Sequence, residues 1–522
     1  MRRTAFWVTI VLAACPAGFS QTPNAAMSAR AAGRFLDQAT WGPTADSISS
    51  LQGMGIAAWL NYQFGLNNSD LPDQPVLNAA GRINADLRPV QEAFFVNAVT
   101  GEDQLRQRVA FALSQIWVVS AVAGVPDAYA YPPYWRIFRD NAFGNYRDII
   151  KAVTLSPAMG RYLNMANNNK GNAARGTAAN ENYARELMQL FTLGLAQLNS
   201  DGTPVLDSAG NAVPTYDQAA VTNLARALTG WTYPTAPGAT ARANNPAFYM
   251  GQMFAVDAEH DTTGKTIFGN ITIRAGQTAA QDLESVLDAL MQQDTMAPFV
   301  CQQLIQHLVT SNPNPQYVER VSRVFLNNGQ GTRGDMKAVI AAILTDPDAR
   351  YGDADSAAPM SNYGHLREPI LFVTNLLRGL NGKLAPGTNV AAAASALGEN
   401  LFNAPSVFSY FSPGYRTEKG LSGPEFQIDS TQTAAVRANL VNTLVYRTLD
   451  KYTTVDLAPF VSRAGDLNGL LDSIAVVFLH GSMSSALRQA ALDAAGAAPT
   501  ALAKAQAALY IVLTSGEYQI IQ

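Results

Sequence analysis

Leu105-Arg106-Gln107-Arg108-Val109-Ala110-Phe111-Ala112-Leu113-Ser114-Gln115-Ile116-Trp117-Val118-Val119-Ser120 is the stretch on which the fold turns. It is apolar on nearly every side of a 3.6-residue helix, so it reads as a central, buried helix rather than a half-exposed amphipathic one. Arg106 and Arg108 at its start then need compensation, and carboxylates from another segment are the expected partners.

Outward from this helix the 3.6 period continues in both directions. Ser28 to Gln38 and Thr44 to Phe64 precede it, and Tyr146 to Leu155, Asn180 to Leu195 and Gln218 to Leu228 come after it. Further helices are predicted over Thr278 to Gln292, Pro298 to Thr310, Gln316 to Leu326, Asp335 to Leu344 and Pro369 to Leu377, with Pro369 at a first helical position. Ser430 to Leu449, Leu467 to Leu479, Ser484 to Ala494 and Thr500 to Thr514 complete the set. Two stretches break the rhythm. Residues 199–216 carry the turn signals Asp201-Gly202 and Gly210-Asn211 around short apolar runs, a hairpin pattern. Residues 233–276 have β-type runs at Thr266-Ile267-Phe268 and Ile271-Thr272-Ile273 and read as a loop-rich insertion, a kind of segment that is often functional. With no fixed-period repeat and no Pro/Ser-rich linker, the expectation is a mainly α chain. Residues 21–522 would form one large multi-helix domain with a small β-hairpin and a loop-rich insertion inside it.

Charged residues make up 15% of the 522, well under the usual quarter, while Ala and Gly are plentiful; helices therefore pack closely over small side chains. A net charge of −4 with no basic run argues against a nucleic-acid surface. Met1-Arg2-Arg3 followed by an apolar run from Ala5 to Ala14 and the small residues of Pro16-Ala17-Gly18-Phe19-Ser20 is a secretory signal pattern, residues 1–20, too short to span a bilayer. A first core helix is the competing reading. Leu12-Ala13-Ala14-Cys15 also matches a lipoprotein box, but Pro16 directly after Cys15 favours ordinary cleavage before Gln21. The mature chain is expected to be secreted or periplasmic, with no further membrane segment. Cys15 and Cys301 are the only cysteines, so stability must come from the core, and Cys301 in an apolar run reads as a small buried hydrophobe.

Several segments together resemble one bacterial family, domain of unknown function 1800. They include Arg34-Phe35-Leu36 through Trp41-Gly42-Pro43-Thr44, Leu105-Arg106-Gln107-Arg108, Asn145-Tyr146-Arg147-Asp148 and Glu181-Asn182-Tyr183-Ala184-Arg185-Glu186-Leu187. Ala225-Arg226-Ala227-Leu228-Thr229-Gly230-Trp231, His260-Asp261 with Gly264-Lys265-Thr266, Leu366-Arg367-Glu368-Pro369, Pro405-Ser406-Val407-Phe408, Phe411-Ser412-Pro413 and Ser515-Gly516-Glu517-Tyr518-Gln519 extend the match to the end of the chain. The resemblance implies an exported protein, often encoded beside a second family, number 1501, that resembles alkaline-phosphatase-type hydrolases. It implies no reaction.

The residues themselves carry the chemical candidates. On the Asn180 helix, Tyr183, Leu187, Leu190, Phe191 and Gly194 share the core face, Glu181, Arg185 and Thr192 lie opposite, and Asn182, Glu186 and Gln189 run along the margin. A carboxylate at that margin is partly desolvated, which raises its pKa and suits Glu186 to acid/base work; a structural partner for Arg106 or Arg108 is the bland alternative. Asp261, Glu368 and Glu425 are the candidate second carboxylates. His260 reads as a base or, with Lys265, an anion contact, against the alternative of a loop residue making one backbone bond. Arg367, Asn182, Lys265 and Tyr410 are the candidate substrate contacts, Tyr410 because Phe408-Ser409-Tyr410-Phe411-Ser412-Pro413-Gly414-Tyr415 is a sugar-stacking platform if exposed and a plug if buried. Glu186, His260 and the Arg367-Glu368 pair are expected to approach one pocket rimmed by 233–276. No metal or cofactor is predicted: histidine spacing does not suit zinc, and Glu259 stands where a phosphate loop around Lys265 requires glycine. Asp346, Asp348, Asp353 and Asp355 are left between calcium and a solvated turn. No Gly-x-Ser-x-Gly elbow occurs. Export signal, carboxylates and aromatics point to a hydrolase-like enzyme acting on a glycan by carboxylate acid/base catalysis. A non-catalytic envelope assembly or binding protein, partnering a family 1501 protein, is the alternative.

Overall fold

The computed structural model describes residues 27–522 apart from 270 and 355–361; the signal segment, Cys15 and Asp355 lie outside the described residues. Among the described residues helices dominate, and the named strands pair as four short antiparallel ladders. The predicted mainly α class is what is found. Among the described residues no helix is long and apolar enough to cross a membrane.

The central helix runs Gln104–Ile116, and Ser114 alone on it escapes full burial. It stops before Val118-Val119 because the chain turns at Trp117, whose ring stacks on Phe191 with centroids 4.3 Å apart. Its arginines meet carbonyls rather than carboxylates. Arg106 donates to the carbonyls of Leu66 (2.5 Å), Arg139 (2.9 Å) and Phe64 (3.3 Å), and Arg108 to that of His307 (2.5 Å). The ends of neighbouring helices leave carbonyls unpaired, and these supply the acceptors that carboxylates were expected to provide.

One hydrophobic core extends from Ala32 to Ile521 around this helix. The ends of the chain are joined to the middle through it. Ala29–Ala39 packs near Leu467–Phe478, and the strand Ile520–Ile521 pairs with His365–Leu366. The Trp41-Gly42-Pro43-Thr44 turn has a packing reason. Gly42 has φ +128°, and a Cβ there would stand 2.7 Å from Asn375 Cα, so only glycine lets this turn lie against the Pro369–Gly379 helix. Thr44 then caps Ala45–Gly65 in a reciprocal pair with Ser47.

Most predicted helices stand within two or three residues of their predicted ends, but among the described residues four helices of six residues or more are additional to the expected set: Arg88–Thr100, Tyr131–Asn141, Pro157–Tyr162 and Val390–Ala396. The Asn180 helix differs in kind. It is α-helical only over Asn182–Glu186 and becomes a π-helix over Leu187–Thr192. The extra residue in the turn rotates the side chains C-terminal to it. Thr192, expected on the outer face, is fully buried and donates to the Leu187 carbonyl five residues back, while Gln189 and Leu190 face a cleft. Such π-turns cluster at functional sites.

The predicted 199–216 hairpin is a three-run ribbon. Gln197, Val205 and Val213, eight residues apart, donate backbone hydrogen bonds cyclically, Gln197 to Val213, Val213 to Val205 and Val205 to Gln197, at 2.8–2.9 Å. Gly194, at φ +74° against the Phe299 ring, starts it.

Candidate functional site

A cleft of about 910 Å³, at the upper end of the range typical for ligand sites, opens beside the π-helix. Three elements form much of its wall. The first is one face of the Met296–Leu308 helix, where Phe299, Gln302, Gln303 and Gln306 recur at helical spacing. The second is the aromatic segment, through Val407, Phe408, Phe411, Ser412 and Pro413. The third is the base of the ribbon, Gly194 to Ala196 with Leu198 and Gly202. Phe408 is 42% exposed, so this part of the aromatic segment is a surface rather than a plug.

The helix face is rich in unspent amide oxygens. The Gln303 and Gln306 side-chain amides donate to the carbonyls of Phe299 (3.4 Å) and Ser311 (3.2 Å), so on these two cleft-lining residues it is the N–H₂ group, not Oε1, that the protein engages. Gln189 accepts from the Tyr216 hydroxyl at 3.4 Å and keeps its N–H₂ group. Gln115, from the central helix, reaches the inner end with an Oε1 that has no protein partner.

Glu425 lies at the inner end. Its side chain is 5% exposed, Ser311 donates to it at 3.1 Å, and the His365 ring is 3.7 Å away. Burial, reinforced by the nearby Glu368 charge, pushes its carboxyl up to about 8, against the pull of backbone and Ser311 hydrogen bonds. His365 and His307 are driven down to about 3 by burial and by the Arg108 charge, so both stay neutral.

Behind Gln115 sit two more buried acids. The Gln115 N–H₂ group donates to Glu368 Oε2 (2.9 Å) and stands 3.4 Å from Glu399 Oε1, while Glu399 Oε2 accepts the Ile370 backbone N–H at 2.7 Å. Burial raises both carboxyls. The Arg108 charge opposes the rise at Glu368, whereas the Glu368 charge adds to it at Glu399, which is held well above the carboxylate range.

The expected convergence of Glu186, His260 and Arg367-Glu368 on one pocket does not occur; each has its own surroundings. His260 is fully buried, with Nδ1 2.9 Å from the Thr229 carbonyl and Nε2 3.2 Å from Asp282. Lys265 is buried on the same Asp282 at 2.7 Å and so is no open anion contact. Asp261 is tied to Arg226 at 2.8 Å, and burial notwithstanding, that guanidinium and Thr263 hold it well below the carboxylate range. Arg367 forms a two-pronged pair with Asp37 at 2.7 and 2.9 Å. Asn182 donates to Asn164 at 3.1 Å. Glu186 is half-buried, with an Oε2 lacking any protein partner, and burial raises its carboxyl; it precedes the π-helix but does not border the cleft. Among the described residues of 233–276 none borders the cleft, so the ribbon base takes the place foreseen for that insertion. Tyr410 anchors the aromatic segment by donating to the Asn400 carbonyl at 2.9 Å and lines a small cavity of about 30 Å³ next to Gln115. Of the predicted acids, Glu425 borders the cleft, and Glu368 lies behind its wall on the Gln115 amide. Asp346 and Asp348 are engaged by Arg320, and Asp353 by Arg34. Among the described residues no cluster of three His, Cys, Asp or Glu is arranged to hold a metal.

Gln115, Gln302, Gln303, Gln306, Ser311 and Glu399 are not among the residues that sequence reasoning selects. Three glutamines at 302, 303 and 306 on an otherwise apolar helix are the available signal, since a core helix has no use for an amide row.

No curated protein and no solved structure matches the chain. A family model described as a protein of unknown function matches residues 34–520, nearly the whole length and every segment that carries the resemblance. The chain belongs to the DUF1800 family.

Proposed function

We propose that this is an exported glycan-acting protein, hydrolase-like in its chemistry, whose substrate lies along the Phe299-Gln302-Gln303-Gln306 face and whose acid is Glu425. The supporting observation is the joining, in one cleft, of an amide row, exposed aromatic surface and a buried carboxyl. Sugars present hydroxyl donors for amide oxygens and apolar ring faces for aromatic side chains. An acid that keeps its proton at neutral pH suits protonation of a leaving oxygen. In the reaction, the Glu425 proton passes to the glycosidic oxygen as the bond to the anomeric carbon breaks. Water then adds to that carbon and returns a proton to Glu425.

The closed ionic networks around His260, Lys265 and Arg367 favour a second reading for those residues, as struts of a binding or assembly protein that acts beside a family 1501 partner without turnover. One experiment separates the two readings. Soluble neutral and acidic oligosaccharides are screened by calorimetry, and mixtures are followed by mass spectrometry. The enzyme reading requires binding and cleavage by the wild type, with E425Q binding but not cleaving. Binding without cleavage selects the second reading, and no binding by any oligosaccharide rejects the glycan assignment.

A further inference from the structure

The wall of the cleft offers acceptors and almost no charge. Three of its glutamines spend their donors on the protein: Gln303 on the Phe299 carbonyl, Gln306 on the Ser311 carbonyl and Gln115 on Glu368 Oε2 at 2.9 Å. The Gln115 amide cannot turn over, because its oxygen would then face Glu368 and, at 3.4 Å, Glu399. What these residues have left for a ligand is therefore an oxygen, and that of Gln115 has no protein partner. Among the described residues on the wall, the charged types are Arg416 and Glu425 alone. Arg416 is exposed and donates to the Gly420 carbonyl at 3.0 Å. Glu425 keeps its proton at neutral pH, and His307 stays uncharged. Arg108 donates to the His307 carbonyl at 2.5 Å and Arg437 to Gln519 at 2.8 Å; neither borders the cleft. Two carboxylates adjoin the wall instead. Asp201 precedes Gly202, and Asp348 accepts the amide of Asn314 at 2.6 Å.

We propose that the cleft selects an uncharged, hydroxyl-bearing glycan and excludes acidic ones, with Gln115, Gln303 and Gln306 setting the preference. A sugar hydroxyl can donate to each of these oxygens and accept in turn. A carboxylate or sulfate only accepts, so it meets the amide oxygens with no proton between them and loses its water without gaining a counter-ion. Oxidising a hydroxymethyl group to a carboxylate thus removes a hydrogen bond and adds an unpaired charge. This assignment rests on the glycan reading of the cleft.

The test is calorimetry on the full-length protein with matched pairs of oligosaccharides on glucan, galactan and xylan backbones. The members of a pair differ only in charge: hydroxymethyl against carboxylate, methyl-esterified against free galacturonate, xylan without and with a glucuronic acid branch. The acidic member should bind more than about tenfold more weakly than its neutral counterpart. The neutral member's affinity should not change with salt. E425Q should keep the gap, and Q302K, which places an ammonium group on the wall, should narrow it. An acidic member binding within tenfold of its counterpart, or alone, overturns the proposal and leaves the glycan reading standing. Loss of the gap in E425Q assigns the exclusion to Glu425 and also overturns it, as does an unchanged gap in Q302K. Binding by no member of any pair rejects the glycan reading and the proposal with it.

Discussion

Replacing Asp37 by Asn should destabilise this protein more than almost any other change of one atom. The Asp37 carboxylate is 2% exposed and accepts four hydrogen bonds: two from Arg367 (2.7 and 2.9 Å), one from His480 (3.0 Å) and one from Asn375 (2.9 Å). It ties the first described helix to the Pro369–Gly379 helix and to the end of Leu467–Phe478. Asn keeps the shape but leaves the fully buried Arg367 charge without a counter-ion, and breaking such a pair costs ~3–5 kcal/mol. Unfolding entropy of about 2.1 cal/mol/K per residue, over ~490 residues, is roughly 1 kcal/mol/K, so the melting temperature should drop by about 3–5 °C if the chain unfolds as one unit. Calorimetry on D37N measures this. R367M in the D37N background removes the orphaned charge and should recover part of the loss. The sign with pH follows from the same pair. Although burial opposes ionisation, Arg367 and His480 hold the Asp37 carboxyl far below its ordinary range. Its stabilisation is therefore present above the unfolded carboxyl value near 3.8 and lost as pH falls below it. D37N melting within one degree of wild type at pH 7, with no gain from R367M, would refute the reasoning.

Glu425 carries the opposite sign. Its folded value, about 8, lies above the ordinary 4.5, so its contribution to stability is full below about 4.5 and is lost as pH rises through 8. E425Q, which cannot ionise, should gain on the wild type in melting temperature between pH 5 and pH 9; a constant difference across that range would contradict the burial of this acid. Cys301 is fully buried, and burial raises its thiol far above the ordinary range. A thiol reagent should leave it unmodified in the native protein and label it on unfolding, whereas rapid native labelling would show that the Met296–Leu308 helix is not packed as described.

The helical class was legible because most helices carry an apolar stripe, and the Leu105–Ser120 run is apolar all round, as a helix buried on every face must be. Arg88–Thr100, by contrast, comes after a turn-rich approach and has no capping side chain, so Pro89 in its first turn is the main local mark of its start. The site was harder. Glu425 and Glu368 stand out as carboxylates in irregular or helix-start positions, but the acid beside Glu368, Glu399, lies in Leu397-Gly398-Glu399-Asn400, an unremarkable loop that only the tertiary fold carries to the N-terminus of Pro369–Gly379. His260 and Lys265 draw attention as polar loop residues. Their partner Asp282 sits in the first turn of the Ala279–Met291 helix, where it reads as an ordinary dipole-favouring acid. The π-turn is invisible to a wheel drawn at 100° per residue, and it is what displaces Gln189 into the cleft and Thr192 into the core.

Hydrogen exchange on full-length E425Q, with and without a saturating oligosaccharide that calorimetry shows to bind, tests the central claim most directly. Bound sugar should slow exchange in the Met296–Leu308 helix and across residues 407–425, and replacing Phe408 and Gln302 by Ala should abolish both the protection and the binding. Protection confined instead to the segments around Glu186 and His260, with the cleft walls unchanged, would contradict the assignment of the substrate to this cleft.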